Sequence, residues 1–332
     1  MTLPGTKKLK QASKRTERYA ANSSPLYGLP SHKRLANILG WAGTTGQLRR
    51  FSRRPENYSR YFDKSKPGKN RLIEVPAKRT KEFQTRILDL LRRIQLPEYL
   101  HSARSNRSYL SNSAAHCEAH GCTVTMDIES FYQAVTLQRV SRFFELEMRC
   151  SSDVAETLAN LQCCDGHLAT GSPVSPLLSF WANHDIFDEI DRRVRVRGGT
   201  FTLYIDDIGI TGKGIGHTDI QWIRRVLRRA GLTLKESKSR VFRAKSAKLV
   251  TGRAFRNGIS RAPNKQHRKM RDAQALLESN PNDSNIRESL TGLKQHLALL
   301  DDAKRDHHRA EAARTTRRKR RSTPQIKSDT QA

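Results

Sequence analysis

The stretch FTLYIDDIGI, Phe201 to Ile210, constrains this chain more than any other part of it. Apolar and β-branched residues flank two adjacent carboxylates, Asp206 and Asp207. That pattern predicts two strands joined by a tight turn with the aspartates at its tip. Asp is common in turns, because its side chain bonds nearby backbone. Two neighbouring carboxylates still raise each other's pKa unless a cation offsets the repulsion.

A third carboxylate points to that cation. In CTVTMDIESFY, Val124, Met126 and Ile128 alternate with Thr125 and Asp127, which places Asp127 near the end of a second strand. If this strand lies beside the hairpin in one sheet, Asp127 faces Asp206, and the carboxylates can bridge hard, oxygen-seeking cations. Two magnesium ions held there would activate a 3′-hydroxyl, clamp a triphosphate and stabilise a leaving pyrophosphate in an in-line displacement.

The charge balance agrees with a polyanionic partner. The 332 residues include 62 Lys and Arg against 32 Asp and Glu, a formal net charge of +30. Nucleic acid is favoured over a membrane, because no apolar run approaches a spanning length and no signal segment opens the chain; the expected compartment is the cytoplasm. Five cysteines, an odd number, fit neither a disulfide framework nor a paired CxxC zinc site. Cys117 and Cys122 with His116 and His120 lack the second well-spaced ligand pair that zinc would need.

The charge is unevenly distributed. Residues 1–57 read as a basic, mobile arm followed by first helices, one near His32 to Trp41. From about Tyr58 to Phe255 short β-like runs (RLIEVP, CTVTMDI, FTLYI, IGIT) alternate with amphipathic stretches such as Thr80 to Gln95, which predicts an α+β fold. After Pro263 the chain reads as polar helices broken near Pro281, then a disordered basic tail from 314 to 332 that includes the run Arg314 to Arg321.

Three further segments suit nucleotide chemistry, and each has a plainer reading. KPGKNRLIEVP presents Lys69 and Arg71 ahead of a strand, where fixed cations can meet β- and γ-phosphates; alone it is a surface charge cluster. HLATGSPVSPLLSFWAN opens on a small-residue turn at Thr170 and Gly171 whose backbone can approach a nucleotide, before a helix starting near Pro176; alone it is a helix entry. GLTLKESKSRVF carries Lys238, placed to protonate a departing pyrophosphate, or else a solvated charge.

Taken in order, the blocks KNRLIEVP, MDIESFY, ATGSPVSPLLS, YIDD, LKESKS and KLVTG resemble the reverse transcriptases over roughly Lys66 to Phe255, and within them the bacterial retron type. YIDD matches the family's YxDD signature, with Ile205 where retron enzymes often have Ala. Asn112, Ala115 and His116 in NSAAH resemble the NAxxH element, with Ser113 in place of the usual Ala. Val250, Thr251 and Gly252 match the VTG element, and Ala169 stands where PTG is more usual.

The resemblance implies a right-hand fold: fingers before about Ala119, fingers and palm together over 58–248 with a small antiparallel sheet, and a helical RNA-binding thumb over 249–313. It implies that Asp127 and Asp206 are direct ligands of two Mg2+ ions, with Asp207 a weaker contributor and the Ile128 carbonyl on the nucleotide-bound ion. Tyr132 would close under the sugar and exclude a ribose 2′-hydroxyl. Phe131 is expected in the core, pointing the other way on the strand.

The resemblance further implies a cognate structured non-coding RNA serving as template and primer. Synthesis from a guanosine 2′-hydroxyl would give branched RNA-linked single-stranded DNA from dNTPs, in antiphage defence alongside a separate effector protein. RNA contacts are expected at Asn112, His116, Val250, Thr251 and Gly252, with specificity from shape and unpaired loops. Two other readings stay open: a group II intron-like reverse transcriptase, disfavoured by the roughly seventy residues after Pro263, and a non-catalytic RNA-binding scaffold, disfavoured by three intact acidic positions.

Overall fold

The computed structural model describes residues 18–66, 69–256 and 259–300; the basic arm ahead of residue 18 and the run Arg314 to Arg321 lie outside them. The chain divides into two compact units, Met1–Pro97 with Tyr132–Ala182, and Glu98–Phe131 with Asn183–Ala332.

The first unit opens with α1 (His32–Leu39), which buries Leu35, Ala36 and Leu39 as one stripe and ends at Gly40 in the left-handed region. In α2 (Thr45–Ser52) the first turn is closed by a capping box between Thr44 and Gln47. Strands β1 (Tyr58–Lys66) and β2 (Lys69–Pro76) form an antiparallel hairpin with Tyr58 opposite Pro76. The helix α3 (Lys78–Leu91) follows, burying Phe83, Ile87, Leu88 and Leu91 at helical spacing.

The chain then enters the second unit through α4 (Tyr109–Cys117) and β3 (Cys122–Asp127). Phe131 is buried, as expected, and packs against Phe187 with ring centroids 6.3 Å apart. It does so from the start of a short helix, α5 (Phe131–Ala134), rather than from a strand, because Ser130 at φ 45° turns the chain out of the extended region.

The first unit is completed by α6 (Leu137–Arg142), a π-helical turn at Phe143–Glu147, α7 (Ser152–Gln162), the two-residue strands β4 (Cys163–Cys164) and β5 (His167–Leu168), and α8 (Ser175–Trp181). Asp165 and Gly166, both at positive φ (49° and 80°), form the turn between β4 and β5, the backbone signature of a primed hairpin turn.

The second unit resumes with α9 (His184–Val196), the hairpin β6 (Thr200–Tyr204) and β7 (Asp207–Gly212), α10 (His217–Arg228) and β8 (Arg240–Phe242). Its four-stranded antiparallel sheet has the order β6-β7-β3-β8. Side-chain alternation gives this sheet two characters. Val124, Met126, Phe201, Leu203, Ile208 and Ile210 supply an apolar face, and Thr123, Thr125, Thr202, Thr211, Asp127 and Asp207 supply a polar one. On the polar face the His116 ring of α4 is hydrogen-bonded to Thr202 Oγ1 (2.7 Å) and Thr211 Oγ1 (2.8 Å).

A three-stranded sheet follows, β9 (Lys248–Val250), β10 (Arg253–Arg256) and β11 (Ile259–Arg261), and then α11 (Asn264–Ser279), which buries none of its residues. A helical segment over 284–300 begins past Pro281, where the break was expected. Its Leu297 and Leu300 pack with Ala262. Strands and helices are thus mixed in an α+β fold, and no helix among the described residues is long and apolar enough to cross a membrane.

Candidate active site

The sheet of the second unit brings the predicted carboxylates to one end. Asp127, the last residue of β3, is in register with Asp207, the first residue of β7. The expectation that Asp127 faces Asp206 is corrected by one residue. Tyr204 pairs with Asp207, so Ile205 and Asp206 are the two turn residues beyond the ladder. Asp206 is instead tied to the neighbouring strand by its backbone, its carbonyl accepting the Ile128 N–H at 2.9 Å.

That turn is held from outside. Ile205 is at φ 57°, a conformation that a β-branched residue adopts only under constraint. Its N–H donates to the buried Ser102 hydroxyl at 3.0 Å. The segment carrying Ser102 is itself laced along β6, with His101 N–H on the Leu203 carbonyl (2.9 Å) and Leu203 N–H on the Tyr99 carbonyl (2.8 Å).

Asp127 is fixed from its other side. Lys235 N–H donates to the Asp127 carbonyl at 2.8 Å and Glu129 N–H to the Thr233 carbonyl at 2.9 Å, so the residues before β8 form a short strap. The strap delivers Lys238, whose Nζ lies 2.5 Å from Asp127 Oδ2. Burial works against the charge on Lys238, but the Asp127 carboxylate outweighs it and the ammonium's pKa is raised.

Burial, followed by the Asp206 and Asp127 charges, pushes the Asp207 carboxyl up to about 7, with Lys238 pulling the other way. A cluster of oxygen donors that holds one member near neutrality in its pKa is short of positive charge, and that is the donor set a hard divalent cation fits. Beside it opens a cavity of ≈ 490 Å3 whose lining includes Asp127, Asp207, Lys238, Arg240, Tyr109 and Tyr204, together with Thr251 and Gly252.

Two other predicted segments meet in this unit. Thr251 and Gly252, both at positive φ, turn β9 into β10, with Val250 opposite Arg253. Asn112 Nδ2 donates to Thr251 Oγ1 at 3.3 Å, and Thr251 Oγ1 donates to the Tyr109 carbonyl at 3.0 Å. His116, Asn112 and Val250 are buried; His116 in particular is wholly enclosed, and its two ring nitrogens are engaged by threonines.

The remaining predicted residues belong to the first unit. Arg71 is exposed on β2, and Lys69 begins the same strand; the Lys69 side chain lies outside the described set. Thr170 Oγ1 donates to the Leu72 carbonyl (3.1 Å) and accepts the Glu74 N–H (2.9 Å), while Gly171 N–H donates to the Glu74 carbonyl (2.9 Å). The close backbone approach that Gly171 permits is to Glu74, since a Cβ there would stand 2.5 Å from that carbonyl oxygen. Tyr132 is half-buried in α5.

Sequence reasoning missed Ser102, Tyr109 and Arg240. Ser102 lies 103 positions from the turn it supports, and no local pattern marks it. Arg240 is paired with Thr125 across β8 and β3, a neighbour that only the register of the folded sheet supplies.

The family model described as reverse transcriptase (RNA-dependent DNA polymerase) matches residues 62–308. The chain belongs to the reverse transcriptase family. Its curated relatives include the retron Se72 reverse transcriptase of Salmonella heidelberg (strain 579083-10), 28% identical over 219 residues, or 62% of this chain and 56% of that protein. The retron Mx65 reverse transcriptase of Myxococcus xanthus is 27% identical over 287 residues, 76% of this chain and 65% of its own length. The retron Ec48 reverse transcriptase of Escherichia coli is 24% identical over 143 residues, 42% of this chain and 35% of that protein. The chain thus spans less than two thirds of the length of each.

Proposed function

We propose that the chain is a retron-type reverse transcriptase that copies part of a cognate structured RNA into single-stranded DNA from dNTPs. Priming from a 2′-hydroxyl of that RNA yields a branched RNA-linked product. The observation that carries the reading is the register of Asp127 with Asp207 at a sheet end, with Asp206 on the adjoining turn and Lys238 on Asp127.

Asp127, Asp206 and Asp207, with the Ile128 carbonyl, would hold the Mg2+ ions. When bound, such ions supply Lewis-acid stabilisation to an in-line phosphoryl displacement. The chain's own groups do the rest. Lys238, already charged and carried on a strap, is the acid for the leaving pyrophosphate. Lys69 and Arg71 meet the triphosphate, Thr170 and Gly171 shape the strand that carries them, and Tyr132 rejects a ribose 2′-hydroxyl.

In this reading the second unit's sheet is the palm, the β1–β2 hairpin and its helices are fingers, and α11 with the segment 284–300 belongs to the thumb. Thr251 and Gly252 line the cavity and would face the RNA, and Asn112, His116 and Val250 would support that wall from buried positions. The +30 charge supplies affinity through counterion release and predicts steep salt dependence. Action in the cytoplasm beside a separate effector protein, in antiphage defence, completes the proposal.

The test is to express the chain with several hundred bases of its native upstream DNA and sequence the extracted nucleic acid before and after debranching, beside Asp206→Asn. A discrete DNA shortened by debranching and absent from the variant supports the reading. Extension of an annealed primer on added RNA without such a DNA keeps the polymerase and removes the retron assignment. Inactivity in both formats removes both.

A further inference from the structure

Away from the carboxylates, the first unit gathers a second set of ligand-type side chains. Asp165 and Gly166 close the hairpin so that Cys164 and His167 are directly paired across it, which puts both side chains on one face. Glu74 reaches this face from the middle of β2. Among the described residues, ligand atoms of Glu74, Cys164 and Asp165 lie within 4.8 Å of one another, and His167 Nε2 lies 3.0 Å from Glu74 Oε1.

The orientation of these groups is what a cation would require. His167 Nδ1 is 3.3 Å from the Asp165 carbonyl, which can only accept, so the proton sits on Nδ1 and the Nε2 lone pair is turned toward Glu74. Glu74 is wholly buried; its Oε2 accepts the Thr170 N–H at 3.2 Å, while its Oε1 has no hydrogen-bond partner, and neither has His167 Nε2. With the ring neutral, these two buried acceptors, 3.0 Å apart and off any hydrogen-bond line, repel each other unless a cation lies between them; only a second proton on the imidazole would make them an ion pair instead. A histidine fixed by a backbone carbonyl and a carboxylate fixed by an N–H are the outer contacts that orient metal ligands.

We propose that Cys164, His167 and Glu74, with Asp165 as fourth ligand, form a zinc site that staples the β4–β5 hairpin to β2. One thiolate, one imidazole and two carboxylates are a borderline-soft set of four, which suits Zn2+ and disfavours Mg2+. Arg60 now stands partly in the ion's place, its Nη2 2.5 Å from Asp165 Oδ1 and 3.4 Å from Cys164 Sγ. Its side chain is 41% exposed, so it can withdraw to solvent when the thiol gives up its proton and the metal enters. The site uses none of the carboxylates of the second unit, and it was hidden in the sequence because Glu74 is ninety positions from Cys164.

The test titrates cobalt(II), as a spectroscopic stand-in for zinc, into the metal-free full chain in excess Mg2+, which saturates hard-oxygen sites. One equivalent should produce a thiolate-to-cobalt charge-transfer band that one equivalent of Zn2+ then abolishes. Cys164→Ser should remove the band, and His167→Asn, at the hairpin's edge, should weaken cobalt binding by more than about tenfold. No thiolate band in the wild type overturns the proposal, whatever the variants do. So does a band that survives both substitutions at unchanged affinity, which would assign the thiolate to another cysteine.

Discussion

The Ser102 hydroxyl accepts the Ile205 N–H at 3.0 Å and so closes the strained turn that carries Asp206 from the side opposite β7. Leaving that N–H without a partner costs about 1–3 kcal/mol where water cannot replace the hydroxyl. Ser102→Ala should therefore lower kcat by roughly tenfold, about 1.4 kcal/mol, with little change in the KM for primer. Ser102→Thr should restore most of it. In an Ile205→Gly background, where positive φ carries no strain, the same substitution should cost much less; equal costs in both backgrounds would make Ser102 a general packing residue.

Lys238 neutralises Asp127 in the absence of metal, so the two compete for one carboxylate. Lys238→Met should raise the affinity of the nucleotide-free protein for Mn2+, read from the free-ion resonance signal, while lowering kcat by about 10²-fold if the ammonium is the acid for pyrophosphate. Weaker Mn2+ binding in the variant would mean that Lys238 organises the carboxylates instead of competing for them.

Part of this was legible locally. The β6–β7 hairpin and β3 follow from alternation, because one face of each strand is apolar and the pattern has period two. Asp127 was assigned to the right strand end, yet it pairs with Asp207 and not with Asp206, because the register depends on where the turn begins and Ile205 takes the left-handed position itself. Phe131 was recognised as core but not as a helix start, since Ser130 redirects the chain there. Ser102, and the meeting of Glu74 with His167, arise from tertiary packing between distant segments, to which periodicity is blind.

The Asp207 carboxyl, raised to about 7 by burial and then by Asp206 and Asp127, binds a proton in the folded protein that the unfolded chain releases at its ordinary carboxylate pKa. Its contribution to metal-free stability is thus fully present below that ordinary pKa and lost as pH rises through about 7. A divalent ion displaces this proton, so Mn2+ affinity should climb between about pH 6 and 8 and then level. Asp207→Asn should flatten that climb; a wild-type affinity independent of pH would show that Asp207 is ionised before metal arrives.

His116 titrates in the opposite sense. Burial first, then the charges of His101 and Lys248, hold its pKa down at about 3, and burial with Arg107 and Arg104 holds His101 at about 4. Both rings are neutral in the fold, so the stability they confer is present above the unfolded histidine value and is lost as pH falls from there through about 4 for His101 and about 3 for His116. Urea midpoints of metal-free Asp207→Asn, which lacks the opposing carboxylate, should fall across that window; a flat profile would mean that water reaches the rings.

Gly209 lets the His116 ring lie on the sheet between Thr202 and Thr211. A Cβ at Gly209 would stand 2.7 Å from His116 Nε2 and 3.0 Å from Thr202 Oγ1, and neither group can retreat, because the ring is held at both nitrogens. Overpacking of this kind costs about 1–3 kcal/mol, and here the lost hydrogen bonds of two buried threonines add to it. Gly209→Ala should therefore lower Tm by a few degrees, about 1.4 °C per kcal/mol in a chain of this size. The displaced helix is α4, which carries Asn112 and Tyr109 to the Thr251 turn. Loss of activity in Gly209→Ala should thus appear at temperatures where the protein is still folded, and should fall on primer KM before metal affinity. Activity that tracks unfolding alone would separate α4 from the cavity wall.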